Sequence, residues 1–198
     1  DRVNISNDIN DKSIARFVEF ETPVSTRGSE FLNPILNAIK EGKVIYFDYE
    51  SFQTQKRKAR KVLPLLLKEY RNRWYLLCYD LIKEGIITYG LDRIYELQES
   101  EEVFRSPVSF NPDQFFEHAI GITASNGKPE TVVFKADNVA AKYIESQPFH
   151  ASQKVVKEGK NKTTFEMRVY ISEELIRSIL SYGGEVVVME PELLRSHI

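Results

Sequence analysis

The sequence predicts an α+β fold in two parts: a small β-barrel of Sm or SH3 type, followed by a ferredoxin-like domain. Two observations lead there. One helix pattern and about five short strand patterns crowd into residues 29–105, the density of a small closed barrel. Beyond the breaker cluster Ser125-Asn126-Gly127-Lys128-Pro129, strand and helix patterns alternate in the order β-α-β-β-α-β. The 198 residues fit one or two domains at roughly 100–200 residues each. The expected division is a linker or arm over 1–28, a barrel over 29–105, a connector with a short helix over 106–127, and a C-terminal domain over 128–198.

Residues 1–28 are polar apart from Ile14 to Phe20, a short strand candidate, and Thr22 to Gly28 reads as a loop. Ser29 to Glu41 is the first helix, with Ser29 as its cap. Phe31, Leu32, Ile35, Leu36 and Ile39 form one stripe, and Gly42 sits where a helix ends. Pro34 fits only if the start slips so that it lies in the first turn. Strands follow at Val44–Tyr49, Ala59–Leu67, Arg73–Tyr79, Ile86–Leu91 and Arg93–Gln98. Pro64 implies a bulge or an edge in the second of them. Closing such a sheet removes its exposed edges.

Asn111-Pro112-Asp113 opens a short helix that carries Phe115, Phe116 and Ile120 and stops at Gly121. Thr131–Lys135 is then a strand. Asp137 caps a helix to about Glu145 whose apolar side is Val139, Ala140, Tyr143 and Ile144. Ser152–Lys157 and Thr163–Tyr170 are strands around a Glu158-Gly159-Lys160-Asn161 turn. Ser172 caps a helix through Tyr182 that presents Leu175, Ile176, Ile179 and Leu180 and stops at Gly183-Gly184. Glu185–Met189 is the last strand, and Pro191 opens a final helix. Right-handed crossovers place the two helices between these strands on one face of the sheet.

Composition excludes several classes. Hydrophobic residues at 42% support a packed core rather than disorder. No apolar run approaches the ~20 residues of a membrane span. One cysteine, Cys78, excludes an internal disulfide and a cysteine-based metal site, and fits a reducing cytoplasm. The chain opens on Asp1 rather than Met, so a piece of a longer protein is expected. His118, His150 and His197 stand far apart with no partner at metal-ligand spacing, and no nucleophile-elbow, P-loop, zincin or dinucleotide motif occurs. Neither enzyme activity nor a cofactor is expected. Cys78, inside an apolar strand, reads as an inert core thiol.

The net charge of −2 rules out the chain as a whole as an electrostatic nucleic-acid binder. The charge is uneven, however. Lys56, Arg57, Lys58, Arg60, Lys61, Lys68, Arg71 and Arg73 cluster with only Glu69 among them. Such a run describes a local anion site and equally a solvated sheet edge. Along Arg73-Trp74-Tyr75-Leu76, strand alternation turns Trp74 and Leu76 one way and Arg73 and Tyr75 the other, with one pair in the core. A tyrosine beside a guanidinium suits planar or anionic groups. Arg60 and Arg93 would extend that face and Tyr49 would close it.

Ala38-Ile39, Tyr46-x-x-Tyr49, Arg60-x-Val62-x-Pro64, Trp74-Tyr75-Leu76 and Leu91-Asp92-Arg93-Ile94, in this order and spacing, closely resemble the WYL domain over roughly residues 30–105. From Thr131 to Tyr182-Gly183-Gly184-Glu185 and Pro191-Glu192-Leu193-Leu194-Arg195, the chain resembles the extension that commonly follows WYL domains. The resemblance implies an Sm-like barrel that senses nucleotide-like or other anionic effectors in a bacterial transcriptional regulator. It carries over Tyr49, Arg60, Trp74, Tyr75 and Arg93 as ligand-binding residues. Such proteins usually carry an N-terminal winged helix-turn-helix; none lies in these residues, and 1–28 match the connector expected after one. DNA binding is thus assigned to that absent part, operator binding by this chain should be poor, and a homodimer is expected. The alternative is a module binding single-stranded nucleic acid through Lys56, Arg57, Lys58 and Arg73 beside the barrel's aromatic residues.

Overall fold

The structure, a computed structural model, describes residues 27–124 and 127–198. The Ile14–Phe20 strand candidate and Ser125-Asn126 of the breaker cluster lie outside the described residues. A 3₁₀ turn over Ser29–Phe31 leads into α1 (Leu32–Glu41). No side chain caps this entry, so Ser29 does not play the predicted role. Pro34 falls in the first turn of α1, where its missing N–H costs nothing. Ile35 and Ala38 are the buried part of the stripe, and Gly42 at φ 65 ends the helix.

Five strands follow: β1 (Lys43–Glu50), β2 (Arg57–Tyr70), β3 (Arg73–Asp80), β4 (Gly85–Gly90) and β5 (Ile94–Val103). Their order across the sheet is β4-β3-β2-β1-β5, with every neighbouring pair antiparallel. Pro64 lacks a donor for the ladder, and the register between β2 and β3 shifts between Pro64 and Leu66. Arg93, expected at the start of a strand, instead closes a 3₁₀ turn over Leu91–Arg93 that joins β4 to β5.

The sheet curls. β4 and β1 are three places apart, about 14 Å if the sheet were flat, yet the rings of Tyr89 on β4 and Tyr49 on β1 lie 4.6 Å apart. Ile35 and Ala38 of α1 fill the curl together with Ile45, Phe47, Val62, Leu76, Cys78, Leu91 and Ile94. Cys78 is fully buried there and its thiol is held protonated by that burial.

The connector helix α2 (Pro112–Phe116) is shorter than predicted and ends well before Gly121. The Asn111 side-chain oxygen accepts the Asp113 and Gln114 N–H groups, a true cap. Next come β6 (Glu130–Asp137), α3 (Asn138–Ser146), β7 (Lys154–Glu158), β8 (Lys162–Val169), α4 (Glu173–Leu180), β9 (Val186–Glu190) and α5 (Glu192–Arg195). The second sheet runs β7-β8-β6-β9, again antiparallel throughout.

Alternation in the central strands buries Val132, Phe134 and Ala136 of β6 and Phe165, Met167 and Val169 of β8. Phe134 and Phe165 stack at 5.2 Å in this core. From α3 the buried residues are Ala140, Ala141 and Ile144, whereas Val139 and Tyr143, read as core, are both 66% exposed. The helix rotates so that its two alanines let it approach the sheet closely. Leu180 of α4 is likewise exposed, and the buried positions of that helix are Leu175, Ser178 and Ile179. Ser172 caps α4 as predicted, its hydroxyl accepting the Leu175 N–H. Asp137 precedes α3 but does not cap it; its carboxylate pairs with Lys162 at 3.2 Å.

The two halves touch at a small junction. Arg71, at the tip of the β2–β3 turn, donates from Nη2 to Ser178 Oγ of α4 at 3.2 Å. Thr123 donates to Glu174 on the same helix. Gly121 at φ 81 lies against the Tyr70 ring, where a Cβ would come within 2.8 Å.

Candidate ligand pocket

Asp80, at the end of β3, is fully buried and organises one end of the curled sheet. Its Oδ1 accepts the backbone N–H groups of Ile82 and Lys83 at 2.9 Å each, which pins the β3–β4 turn. Its Oδ2 accepts the Tyr89 hydroxyl at 2.5 Å. Burial and the neighbouring carboxylate both push the Tyr89 phenol far upward, so it stays neutral. Tyr89 meets Tyr49 and Phe47 edge to face. The Tyr49 hydroxyl accepts the Gly90 N–H at 3.4 Å, and burial also keeps this phenol neutral.

Arg60 on β2 faces the same corner. Its Nε lies 3.9 Å from Asp80 Oδ2, close enough for charge balance and too far for a hydrogen bond. Its Nη1 donates to the Ala59 carbonyl at 3.0 Å, while its Nε is buried with no acceptor among the described residues. An unmet buried donor costs roughly 1–3 kcal/mol, so it marks a place where an outside acceptor gains.

In front of Arg60 opens a pocket of about 340 Å³, within the range of small-molecule sites. Its cations are Lys56, Lys58, Arg60 and Lys83; its hydroxyls come from Ser51, Thr54 and Thr88; its rings are Tyr49 and Tyr89. Among the described residues no carboxylate lines it. With both phenols neutral, the pocket wall is cationic.

Residues 30–99 match the WYL domain family and residues 128–198 match the WCX domain family. The chain is a WYL- and WCX-domain protein. Protein PafB of Mycobacterium tuberculosis and of Mycobacterium bovis are each 24% identical to it over 174 residues, 87% of this chain and 52% of their own length. The chain thus spans about half the length of these curated relatives. A solved CRISPR Cas-related protein superposes with TM-score 0.55 at 12% identity, over 85% of this chain and 49% of that one, so the fold is shared. The proteasome accessory factor PafBC of Arthrobacter aurescens aligns at 22% identity and TM-score 0.42, covering 89% of this chain and 26% of that one.

Within the WYL domain, the five residues expected to act together separate. Tyr49 and Arg60 line the pocket. Arg93 stands behind it, with its guanidinium 5.2 Å from the Tyr49 ring centroid and 4.7 Å from that of Phe52. Gly90 makes this possible, because a Cβ there would meet Arg93 Nη2 at 2.6 Å. Tyr75 does not line the pocket; it is half-buried near Arg73, Asp92 and Arg93, and burial raises its phenol. Trp74, whose side was a candidate for the core, is 39% exposed because it lies at the outer end of β3, while Leu76 is fully buried. Trp74 lines a separate groove of about 600 Å³ with Leu66, Lys68, Pro112 and Phe116.

Strand alternation also divides the basic run. Lys56 and Lys58 line the pocket and have no ion pair among the described residues. Arg57 points the other way, paired to Glu50 at 2.9 Å and stacked 3.6 Å from the Tyr95 centroid. Arg73 lies 3.9 Å from Asp92, away from the pocket. Sequence reasoning missed Tyr89, Lys83, Ser51, Thr54 and Thr88. The only signal for Tyr89 was its period-2 partnership with Ile87 on β4.

Proposed function

We propose that this chain is the effector-sensing region of a bacterial transcriptional regulator and that its ligand is an anion, most simply a nucleotide-like molecule, held in the WYL pocket. The observation that carries this reading is Arg60: a guanidinium with a buried, unmet Nε at the back of a cationic pocket. Lys56, Lys58 and Lys83 supply further positive charge, and neutral Tyr49 and Tyr89 offer ring edges and faces. Arg93 acts as a positioning residue that holds Tyr49. Asp80 keeps Arg60 in place without consuming its donors, which a phosphate or carboxylate can then bind in the bidentate manner typical of arginine.

The WYL sheet is read as a small Sm-like barrel on the strength of its curl, and the WCX sheet as ferredoxin-like on its β7-β8-β6-β9 order. Sequence-specific DNA binding belongs to an N-terminal winged helix-turn-helix outside these 198 residues, and the working form is a cytoplasmic homodimer, since two-fold operators suit two-fold proteins. Ligand binding shifts the balance between arrangements of the domains. The role is regulatory rather than catalytic.

Phe52 favours a second reading, in which the pocket takes single-stranded nucleic acid. It is 63% exposed, in the turn that also carries Ser51, Thr54 and Lys56, and offers a ring on which a base can stack. Mass spectrometry of the intact protein purified under native conditions tests both readings. A bound anionic small molecule or short oligonucleotide is expected with wild type, absent from Arg60→Ala and reduced in Arg93→Ala. Wild-type retention by both folded variants contradicts the site. Binding that falls linearly and steeply on a log–log plot against salt selects the oligonucleotide.

A further inference from the structure

The WCX sheet has one face covered by α3 and α4 and one face open. The open face is formed by the residues that the core does not use: Thr131, Val133 and Lys135 of β6, Lys162, Thr164, Glu166 and Arg168 of β8, and, paired beside them, Lys154 and Lys157 of β7 and Val187 and Glu190 of β9. At one end of it, the β7–β8 turn and the centre of the sheet enclose a hollow of about 410 Å³. Lys135, Lys157, Lys160 and Lys162 line it with Asn161 and Thr164.

Charge on this face is not balanced internally. Glu166 is taken by Lys154 at 2.8 Å and Asp137 by Lys162 at 3.2 Å. Lys135, Lys157, Lys160 and Arg168 have no ion pair among the described residues. The turn that presents Lys160 is held in shape: the Gly159 N–H donates to the Lys162 carbonyl at 2.9 Å, and Asn138 Nδ2 donates to the Lys160 carbonyl at 3.0 Å. On a chain of net charge −2 this is a local cationic face rather than a consequence of overall charge.

We infer that the open face of the WCX sheet docks on the phosphodiester backbone of duplex nucleic acid, with Lys135, Lys157 and Lys160 contacting phosphates. Three features select this occupant. First, the unpaired cations are mostly lysines, point charges that neutralise phosphates without the bidentate geometry of base reading. Second, the face carries no aromatic ring, so it offers no stacking platform for unpaired bases. Third, Lys162 to Arg168 spans about 20 Å along β8, which covers several phosphates at about 3.4 Å of axis per nucleotide on one strand. The docking is sequence-independent, weak alone, and additive to the separate DNA-binding domain of the proposed function. It does not depend on whether the WYL pocket holds an effector.

The test uses the 198-residue chain and a fluorescent DNA duplex of arbitrary sequence about two helical turns long, followed by anisotropy at low salt. A Lys135→Ala/Lys157→Ala/Lys160→Ala variant is expected to bind at least about tenfold more weakly, with the slope of log K against log salt reduced by about 0.9 for each phosphate that is no longer neutralised. Arg60→Ala in the WYL pocket should leave duplex binding unchanged. Circular dichroism confirms that each variant is folded. Should the triple variant not fold, the single Lys157→Glu and Lys160→Glu variants carry the same test. Duplex binding that is absent in wild type, unaffected by the lysine variants, or abolished in Arg60→Ala overturns the inference. Displacement of the duplex by inorganic triphosphate at lower concentration than by unlabelled duplex also overturns it, by showing a small-anion site instead.

Discussion

In the WYL sheet the polar groups turn inward, whereas in the WCX sheet they fan out. Both sheets are antiparallel and both bury one face against helix. The WYL sheet curls until Tyr49 and Tyr89 touch, and so places a buried carboxylate, Asp80, behind a guanidinium, Arg60. The WCX sheet keeps its charges on an open face, where Lys154 and Lys162 find ion-pair partners and, among the described residues, Lys135, Lys157 and Lys160 do not. Curvature therefore makes the difference between a small-molecule pocket and a docking face. In the curled sheet the cations converge on one volume around the half-buried Arg60; in the open one they are spread out, and each is worth little until a polyanion arrives.

The strongest way to break this contrast is to unfold one half. Phe134→Ala removes a fully buried ring stacked on Phe165 in the WCX core and should cost about 3–5 kcal/mol. Urea unfolding followed by near-ultraviolet circular dichroism will measure it. Ligand binding at the WYL pocket should survive the loss of the WCX core, and joint loss would mean that the two sheets do not act separately.

Asp80→Ala strikes the other half. It strands the Tyr89 hydroxyl, two backbone N–H groups and the Arg60 charge, and breaking such a buried pair costs about 3 kcal/mol or more. Thermal unfolding should show the loss, and Asp80→Asn, which keeps an acceptor, should recover part of it. Gly121→Ala addresses the junction between the sheets: φ 81 and the Tyr70 ring both resist a side chain, for an expected cost of about 1–2 kcal/mol. Its signature is weaker coupling between the two unfolding transitions.

The smallest effect is one of pH. Burial holds the His150 imidazole below its usual range, His118 adds to the lowering, and a hydrogen bond with the Glu117 backbone opposes both. Nδ1 accepts the Ser152 N–H at 3.1 Å. The folded value lies below the unfolded one, so this contribution is present above about pH 6.5 and is lost as pH falls through the folded value. A melting series across that window should show a gentle decline, flattened in His150→Gln.

Much of this architecture was legible because alternation and turn chemistry are local signals. The strand patterns of β1, β3, β6 and β8, the alternation within β8, the bulge at Pro64 and the cap at Ser172 needed only neighbouring residues. The faces of α3 were not legible, because Val139 and Tyr143 are as apolar as the alanines that pack; the close approach to the sheet chose the smaller residues. The pocket was half legible. Tyr49, Arg60, Lys56 and Lys58 follow from one hairpin, but Tyr89 and Lys83 arrive only when the sheet curls and brings β4 to β1. Trp74 shows the converse: a conspicuous tripeptide drew attention to a residue that the end of β3 places in another groove.

Trp74 and Arg60 therefore give the most direct test of the central claim. Titration calorimetry of a nucleoside monophosphate and of a short single-stranded oligonucleotide into wild type, Arg60→Ala and Trp74→Ala will separate the two places. The pocket account predicts that at least one of these anions binds wild type, that the heat vanishes in folded Arg60→Ala, and that Trp74→Ala retains it. Binding that survives in Arg60→Ala and disappears in Trp74→Ala would contradict it and move the ligand to the Trp74 groove.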